Sequence, residues 1–259
     1  LHKEYRRQRQ MCIRDSPMIG TLKDGKTTIN GKEYKITKHG FARDLEFTPE
    51  DFNGSSAMFS LTQNDYTKAM YPFDFKFTVR YTLKADGITV TYRVRNDSDT
   101  EMPFCIGAHP AFATPGDMNG YRLQFLRPET AAVPNYNLET GLHEEHKRRE
   151  LMKDSTDLQL SHEMFYEDVC YFDKVASRQV ELLNSENTGV RVDYPDFTSL
   201  GVWQAKDAPF LCIELWCGSA DFDDCSGVFA EKRGIEILAP GAEKTFTYAI
   251  TAVEHKAKV

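Results

Sequence analysis

The sequence has little of what marks membrane-spanning, secreted or dinucleotide-binding proteins. No apolar run approaches the ~18 residues that a membrane span needs, and the N-terminus lacks the apolar segment of a signal peptide. The motifs G-x-S-x-G and G-x-G-x-x-G are missing, so serine-hydrolase and dinucleotide chemistry find no support. Basic residues are outnumbered, 32 to 39, for a net charge of −7. This balance argues against nucleic acid or an anionic membrane as the main partner, and a neutral small molecule fits better.

The six cysteines form no C-x-x-C pair. Four of them stand among apolar or aromatic residues, where a reduced thiol behaves as a small hydrophobe. Because reduced thiols suit a reducing compartment, we expect a cytoplasmic protein.

Residues 1–16 differ in composition from everything after them. They carry five Lys or Arg against two Asp or Glu, whereas the rest of the chain carries 27 against 37. A basic arm that binds nucleic acid is one interpretation, and a non-native or disordered leader is the other. We favour the leader, because QRQMCIRDS resembles translated sequencing-adapter DNA. Residues 17–259 show no linker or repeat, so we expect one domain there.

Apolar and polar side chains alternate over residues 73–83 and again over 88–95, with the turn signal Asp86-Gly87 between them. This period of two predicts a long antiparallel hairpin. A third strand is expected over 102–109, and residues 142–153 show at most a surface turn of helix. Shorter β-type runs follow the same pattern at 180–183, 190–194, 200–204, 210–216 and 245–252. Many short strands joined by turns predict an all-β sandwich or barrel.

Two ionisable residues stand where a strand can carry chemistry. Glu214 lies in the otherwise apolar run FLCIELWC, so its carboxyl group points into a cleft or into the core. Burial would raise its pKa toward the range of a general base, although a structural ion pair is an equal alternative. His109 ends the expected strand 102–109 before Pro110, where it is either a proton donor or a hydrogen-bonded structural residue.

Two further histidine motifs are weaker. HGFARD, residues 39–44, groups the imidazole of His39 with the guanidinium of Arg43, which could bind hydroxyls or carboxylates, or could be a plain turn. HEEH, residues 143–146, lacks the H-E-x-x-H spacing of a metal site. We expect a solvated surface there, and no metal.

Four segments in order carry a family resemblance. They are NGKEY to HGFARD at 30–44, GAHPAF at 107–112, LGVW at 200–203 and CIELW at 212–216. Together they resemble the aldose 1-epimerase (galactose mutarotase) family in its shorter, LacX-like bacterial branch, over essentially residue 17 to the C-terminus. The resemblance implies a large antiparallel β-sandwich that interconverts the α and β anomers of an aldose without cofactor or metal.

The resemblance also implies roles for individual residues. His109 would protonate the ring oxygen, Glu214 would take the proton of the anomeric hydroxyl, and His39 would hold the sugar. Asp168 would match a sugar-binding aspartate, and Trp203 would offer either a stacking face or a core side chain. The family has an arginine directly after the glycine where this chain has Gly20-Thr21, so that sugar contact is either missing or supplied by Arg43.

Relatives begin upstream of the segment matching residue 17, so we expect the sandwich to lack their first strands and leave the oligomeric state open. The substrate is expected to be a free aldohexose. The alternatives are a hexose 6-phosphate, a carbohydrate-binding module without activity, and a glycoside hydrolase using Glu214 with Asp168.

Overall fold

The computed structural model describes residues 13–255. This range is built mainly of β-strands, with one short α-helix, α1 (Asp65–Met70), whose N-terminus is capped by Asn64. No helix in the described range is long and apolar enough to cross a membrane. The expected all-β class is confirmed.

The strands, in chain order, are β1 (Ile13–Asp15), β2 (Thr27–Ile29), β3 (Lys32–Tyr34), β4 (Thr48–Asn53), β5 (Ser56–Thr62), β6 (Phe75–Leu83), β7 (Gly87–Asn96), β8 (Met102–Phe104), β9 (Ile106–His109), β10 (Ala111–Ala113), β11 (Tyr121–Asn137), β12 (Leu142–Gln159), β13 (Cys170–Phe172), β14 (Gln179–Asn184), β15 (Thr188–Asp193), β16 (Ser199–Trp203), β17 (Phe210–Cys217), β18 (Glu236–Leu238) and β19 (Glu243–Glu254). Short 3-10 turns cover Lys23–Gly25, Met118–Gly120, His162–Phe165 and Phe229–Glu231.

Two antiparallel sheets dominate the fold. The larger has nine strands in the order β12-β11-β14-β15-β19-β7-β6-β5-β4. The smaller has the order β1-β9-β17-β16-β13, with β10 also paired to β17. The core lies between them: Phe125 of β11 packs on Phe172 of β13 with ring centroids 5.6 Å apart. Stacking one sheet on the other buries the apolar face of each.

Strand β17 shows how the smaller sheet positions a site. Alternate side chains, including Ile213 and Leu215, point into the main core. Since successive side chains of a strand point to opposite faces, Cys212, Glu214 and Trp216 lie on the other face of the sheet. We call this the outer face.

The strand predictions hold for the hairpin, in which β6 pairs with β7 from Phe75 opposite Asn96 to Leu83 opposite Ile88. Two others were wrong. Residues 102–109 are not one strand, because the chain leaves β8 at Cys105 and β9 continues in a different sheet. Residues 142–153 are not helical but belong to β12, whose charged side chains are tolerated at the edge of the larger sheet.

The expected leader extends too far at its C-terminal end. Residues 13–15 form β1, which pairs with β9 from Ile13 opposite His109 to Asp15 opposite Gly107. Asp15 is fully buried. Residues 13–16 therefore belong to the folded domain and not to a leader. Residues 1–12, which include Cys12, lie outside the described residues.

His143 corrects the expectation of a solvated surface at 143–146. The side chain is fully buried, and neither ring nitrogen has a hydrogen-bond partner. Its ring stacks on Tyr171 at 4.8 Å and lies 5.0 Å from Phe222. Burial among these rings lowers the pKa of His143 from 6.5 to about 4. His146, by contrast, is exposed.

Replacing His143 by Phe should make the stability of the protein less sensitive to acid. The folded-state pKa lies below the unfolded value, so the unfolded chain binds the proton first, and stability is lost as the pH falls from 6.5 toward 4. Between pH 7 and 4.5 the wild type should lose about 2 kcal/mol more unfolding free energy than His143→Phe. Urea denaturation at both pH values measures this, with His146→Gln as the exposed control. An equal loss in wild type and His143→Phe would contradict the assignment.

Candidate active site

Glu214 lies in the middle of the smaller sheet. Strand β17 is paired on one side with β16, where Gly201 is opposite Glu214, and on the other side with β9. The side chain is only 3% exposed. A carboxyl group so placed needs a polar partner, because burying an unpaired charge is costly.

His109 provides that partner from the last position of β9. Its Nε2 lies 3.0 Å from the Oε2 of Glu214, and its side chain is 11% exposed. The following Pro110 accepts a hydrogen bond from the backbone N–H of Ile213, which ties this strand end to β17. The structure thus brings the two residues singled out by the sequence into direct contact.

Burial acts on the two groups in opposite directions. It raises the pKa of Glu214 well above its usual range, and the nearby charges of Asp15 and Asp168 add to this. It lowers the pKa of His109 from 6.5 to about 4. Both shifts favour the uncharged forms of the two groups, a neutral imidazole and a protonated carboxyl group.

Two glycines make room for the outer-face side chains around Glu214. A Cβ on Gly107 of β9 would lie 2.8 Å from Trp216 Cδ1, and one on Gly201 of β16 would lie 3.0 Å from the Cη2 and Cζ2 of the same indole. Trp216 therefore spans three strands, lying over a glycine on each side of β17. A Cβ on Gly201 would also lie 3.3 Å from the Cβ of Glu214.

His39 reaches the pair from the loop between β3 and β4. Its ring centroid lies 6.2 Å from that of His109 in an edge-to-face arrangement. Its backbone has φ 63°, a conformation uncommon outside glycine and often found at functional sites. Its Nδ1 lies 2.9 Å from Asp15 Oδ2, which fixes the orientation of the ring.

Two cations of the same loop act on the pair electrostatically. The charge of Arg43 opposes a proton on His109 and also lowers the pKa of Glu214. The charge of Lys38 lowers the pKa of Glu214 as well. Arg43 is half-buried and Lys38 is exposed, and neither forms an ion pair with another described side chain.

Trp203 and Asp168 complete the group. Trp203 is the last residue of β16, and its ring lies edge-to-face against His109 with centroids 6.3 Å apart. Asp168 lies before β13 with φ 73°, and its charge raises the pKa of Glu214. Glu214, His109, His39 and Trp203 therefore lie together at one point of the outer face. Arg43 and Asp168 are close enough to act on Glu214 electrostatically. A cavity of about 370 Å³ lined by Tyr171, Phe222 and Arg233 contains none of them.

Sequence reasoning missed two neighbours of this group. Asp15 was set aside with the leader, and nothing in a single sequence pairs it with His39. Cys212 could have been found, because the two-residue spacing to Glu214 places both side chains on one face of a strand. Thr21, at the position of the family arginine, lies instead against Gly141, where an added Cβ would be 3.2 Å from the threonine Oγ1.

The aldose 1-epimerase family model matches residues 4–251. The chain belongs to the aldose 1-epimerase family. It is 32% identical over 247 residues to the plasmid-encoded protein LacX of Lactococcus lactis subsp. lactis, covering 91% of this chain and 83% of LacX. The chromosomal LacX is also 32% identical, over 223 residues, covering 83% of this chain and 75% of that protein.

Solved structures show the same fold. A galactose mutarotase related enzyme from Lactobacillus acidophilus superimposes with a TM-score of 0.86 at 29% identity, covering 95% of this chain and 85% of the other. A galactose 1-epimerase from Lactobacillus acidophilus NCFM gives 0.64 at 15% identity, covering 93% and 79%. The second similarity is one of fold alone. The expected galactose mutarotase-like sandwich is confirmed.

Gly201→Ala should disturb the packing beside Glu214. The new methyl group would press on the Trp216 indole, and overpacking of this kind costs about 1–3 kcal/mol of unfolding free energy. Gly54→Ala is the control, because a Cβ there meets nothing within 4 Å and should change stability by no more than about 0.5 kcal/mol. Denaturant midpoints of the two variants test this. Equal denaturant midpoints for Gly201→Ala and Gly54→Ala would show that the Trp216 indole can pack without a glycine at position 201.

Proposed function

We propose that the protein is an aldose 1-epimerase that interconverts the α and β anomers of a free aldohexose. The observation that carries this proposal is the buried contact of 3.0 Å between His109 Nε2 and Glu214 Oε2. Opening a hemiacetal ring needs one group to take the proton of the C1 hydroxyl and another to protonate O5. An imidazole and a carboxyl group that hold one proton between them can supply both transfers.

The proposed mechanism starts from the charged form of the pair. Glu214, as carboxylate, takes the proton of the C1 hydroxyl, and His109, as imidazolium, gives a proton to O5 while the C1–O5 bond breaks. The products are the open-chain aldehyde, a protonated Glu214 and a neutral His109. Rotation about C1–C2 presents the other face of the carbonyl, and the reverse transfers close the ring. The steps move only protons, so the reaction itself needs no metal or cofactor.

Burial assists the first of these steps. Ring opening converts an imidazolium and a carboxylate into two uncharged groups, which is the form that desolvation of His109 and Glu214 favours. The uncharged pair and the charged pair hold the same number of protons. One proton moving between the two residues interconverts them without exchange with solvent.

The surrounding residues would hold the sugar. His39, Arg43 and Asp168 offer donors and acceptors for hydroxyl groups, and Trp203 offers an aromatic face beside His109. Retention of both proton-transfer groups in one contact favours an enzyme over a binding module. Glycoside hydrolysis is less favoured, because His109 rather than a second carboxyl group lies against Glu214.

A hexose 6-phosphate is a second candidate substrate. Lys38 and Arg43 both act on Glu214 electrostatically, and neither is paired with an acidic side chain in the described part of the chain. Unpaired Lys and Arg side chains at a site are the groups that bind phosphate. They therefore favour an anionic substituent on the sugar.

Polarimetry of freshly dissolved α-galactose and α-glucose tests the proposed activity. The protein should accelerate mutarotation, and Glu214→Gln or His109→Asn should slow the catalysed rate by about 10²–10⁴-fold, the contribution of one positioned proton transfer. Glu181→Gln is a matched control: Glu181 is also buried and lies 2.6 Å from a histidine, His255, but outside the site.

Either of two results would contradict the proposal. One is the absence of acceleration by protein shown to be folded by circular dichroism. The other is an equal rate in wild type and Glu214→Gln. The same assay with glucose 6-phosphate distinguishes the substrates: faster turnover of the phosphate, lost in Lys38→Met and Arg43→Met, would favour the second candidate.

We also propose a cytoplasmic location. The described cysteines, Cys105, Cys170, Cys212, Cys217 and Cys225, are all unpaired. Four of them are buried in the fold as thiols. Free buried thiols fit the reducing conditions of the cytoplasm.

A further inference from the structure

Cys212 has no part in the proposed proton transfers, yet it lies directly beside the pair. It precedes Glu214 by two residues on β17, so both side chains project from the outer face. Each of three side chains offers one potential ligand atom here: His109, Cys212 and Glu214. The three atoms lie within 4.8 Å of one another, and all three side chains are buried or nearly so. Within residues 13–255 this is the one group of three such side chains with that spacing.

We propose that His109, Cys212 and Glu214 bind a thiophilic divalent cation, with Zn²⁺ as the fitting ion, and that the bound ion blocks the active site. The cation would be an inhibitor and not a cofactor. The metal site stands on its own geometry, whereas its inhibitory effect rests on the proposed function.

The donor set suits Zn²⁺. Nitrogen, sulfur and oxygen ligands from His, Cys and Glu are those that zinc takes in proteins, and three protein ligands leave a fourth position for water. With bond lengths of about 2.0–2.3 Å, tetrahedral ligand atoms lie about 3.3–3.8 Å apart. Side-chain rotations that close the present spacing by about 1 Å would therefore complete the site.

The charges also balance. A thiolate and a carboxylate together neutralise a divalent cation, so the occupied site carries no net charge into a buried position. Asp15 and Asp168 add negative potential at Glu214, while Lys38 and Arg43 oppose it. The thiolate sulfur of Cys212 is a soft ligand, whereas Mg²⁺ and Ca²⁺ are hard cations that take oxygen ligands. The site therefore does not suit these two ions.

Occupancy would stop the proposed reaction for a simple reason. The ion would hold the two groups that must exchange protons with the sugar, and it would occupy the space of the C1–O5 bond. Inhibition should therefore be competitive with sugar and reversed by a chelator.

Direct metal binding tests the site without any assay of activity. In the full chain with Cys12→Ser and Cys225→Ser, calorimetry should show one Zn²⁺ per chain, and Co²⁺ in its place should give a thiolate-to-cobalt charge-transfer absorption. Cys212→Ala should abolish that absorption and weaken Zn²⁺ binding by about 100-fold or more, since even an indirect partner of a metal ligand contributes 10–100-fold. Cys217→Ala is the matched control, because this buried cysteine of β17 belongs to the main core and should leave binding unchanged.

Cobalt binding without the thiolate absorption, or equal Zn²⁺ affinity in wild type and Cys212→Ala, would overturn the proposed site. Polarimetry then tests its effect: Zn²⁺ should inhibit the wild type and Cys217→Ala, and Cys212→Ala should resist. Equal inhibition of Cys212→Ala would place the inhibitory ion elsewhere. A protein that binds the metal through Cys212 but never accelerates mutarotation would refute the proposed function and leave the metal site intact.

Discussion

The contact between His109 and Glu214 is the interaction on which the rest of the site depends. Glu214 is buried on a strand whose other side chains are apolar, where a lone carboxylate would be costly. His109 Nε2, 3.0 Å away, provides the partner that makes this position tolerable. Because both groups are desolvated, the pair favours its uncharged form. A reaction that neutralises the pair by moving protons onto and off a sugar is therefore assisted by the same burial.

The sandwich provides the rigidity that this contact needs. One face of β17 packs into the main core through Ile213 and Leu215, so Glu214 on the other face is held by a fixed backbone. His109 is held at the end of the neighbouring β9, and Trp216 lies over Gly107 and Gly201 beside it. Apart from Trp203 at the end of β16, the candidate sugar contacts come from loops instead. His39 and Asp168 both have positive φ values, which the surrounding fold must maintain.

Several of the strands and the central site residue can be predicted from the sequence, because their side-chain patterns have a clear physical cause. The β6–β7 hairpin follows from strict alternation, and Glu214 stands out because an acidic residue interrupts an apolar strand. β12 escaped prediction because an edge strand with charged side chains has no apolar period. The role of Asp15 depends on a long-range strand pairing with β9, which local sequence does not encode. His143 looked solvated among charged neighbours, and only the packing of Tyr171 and Phe222 buries it.

The central claim is that His109 and Glu214 act as one unit that exchanges protons with the sugar. A double-mutant cycle tests it most directly, comparing catalysed mutarotation rates of wild type, Glu214→Gln, His109→Asn and the double variant. If the residues act together, the double variant should be about as slow as the slower single variant, because losing either partner already stops the coupled transfer. If the two single effects multiply in the double variant, the residues act independently and the central claim is wrong.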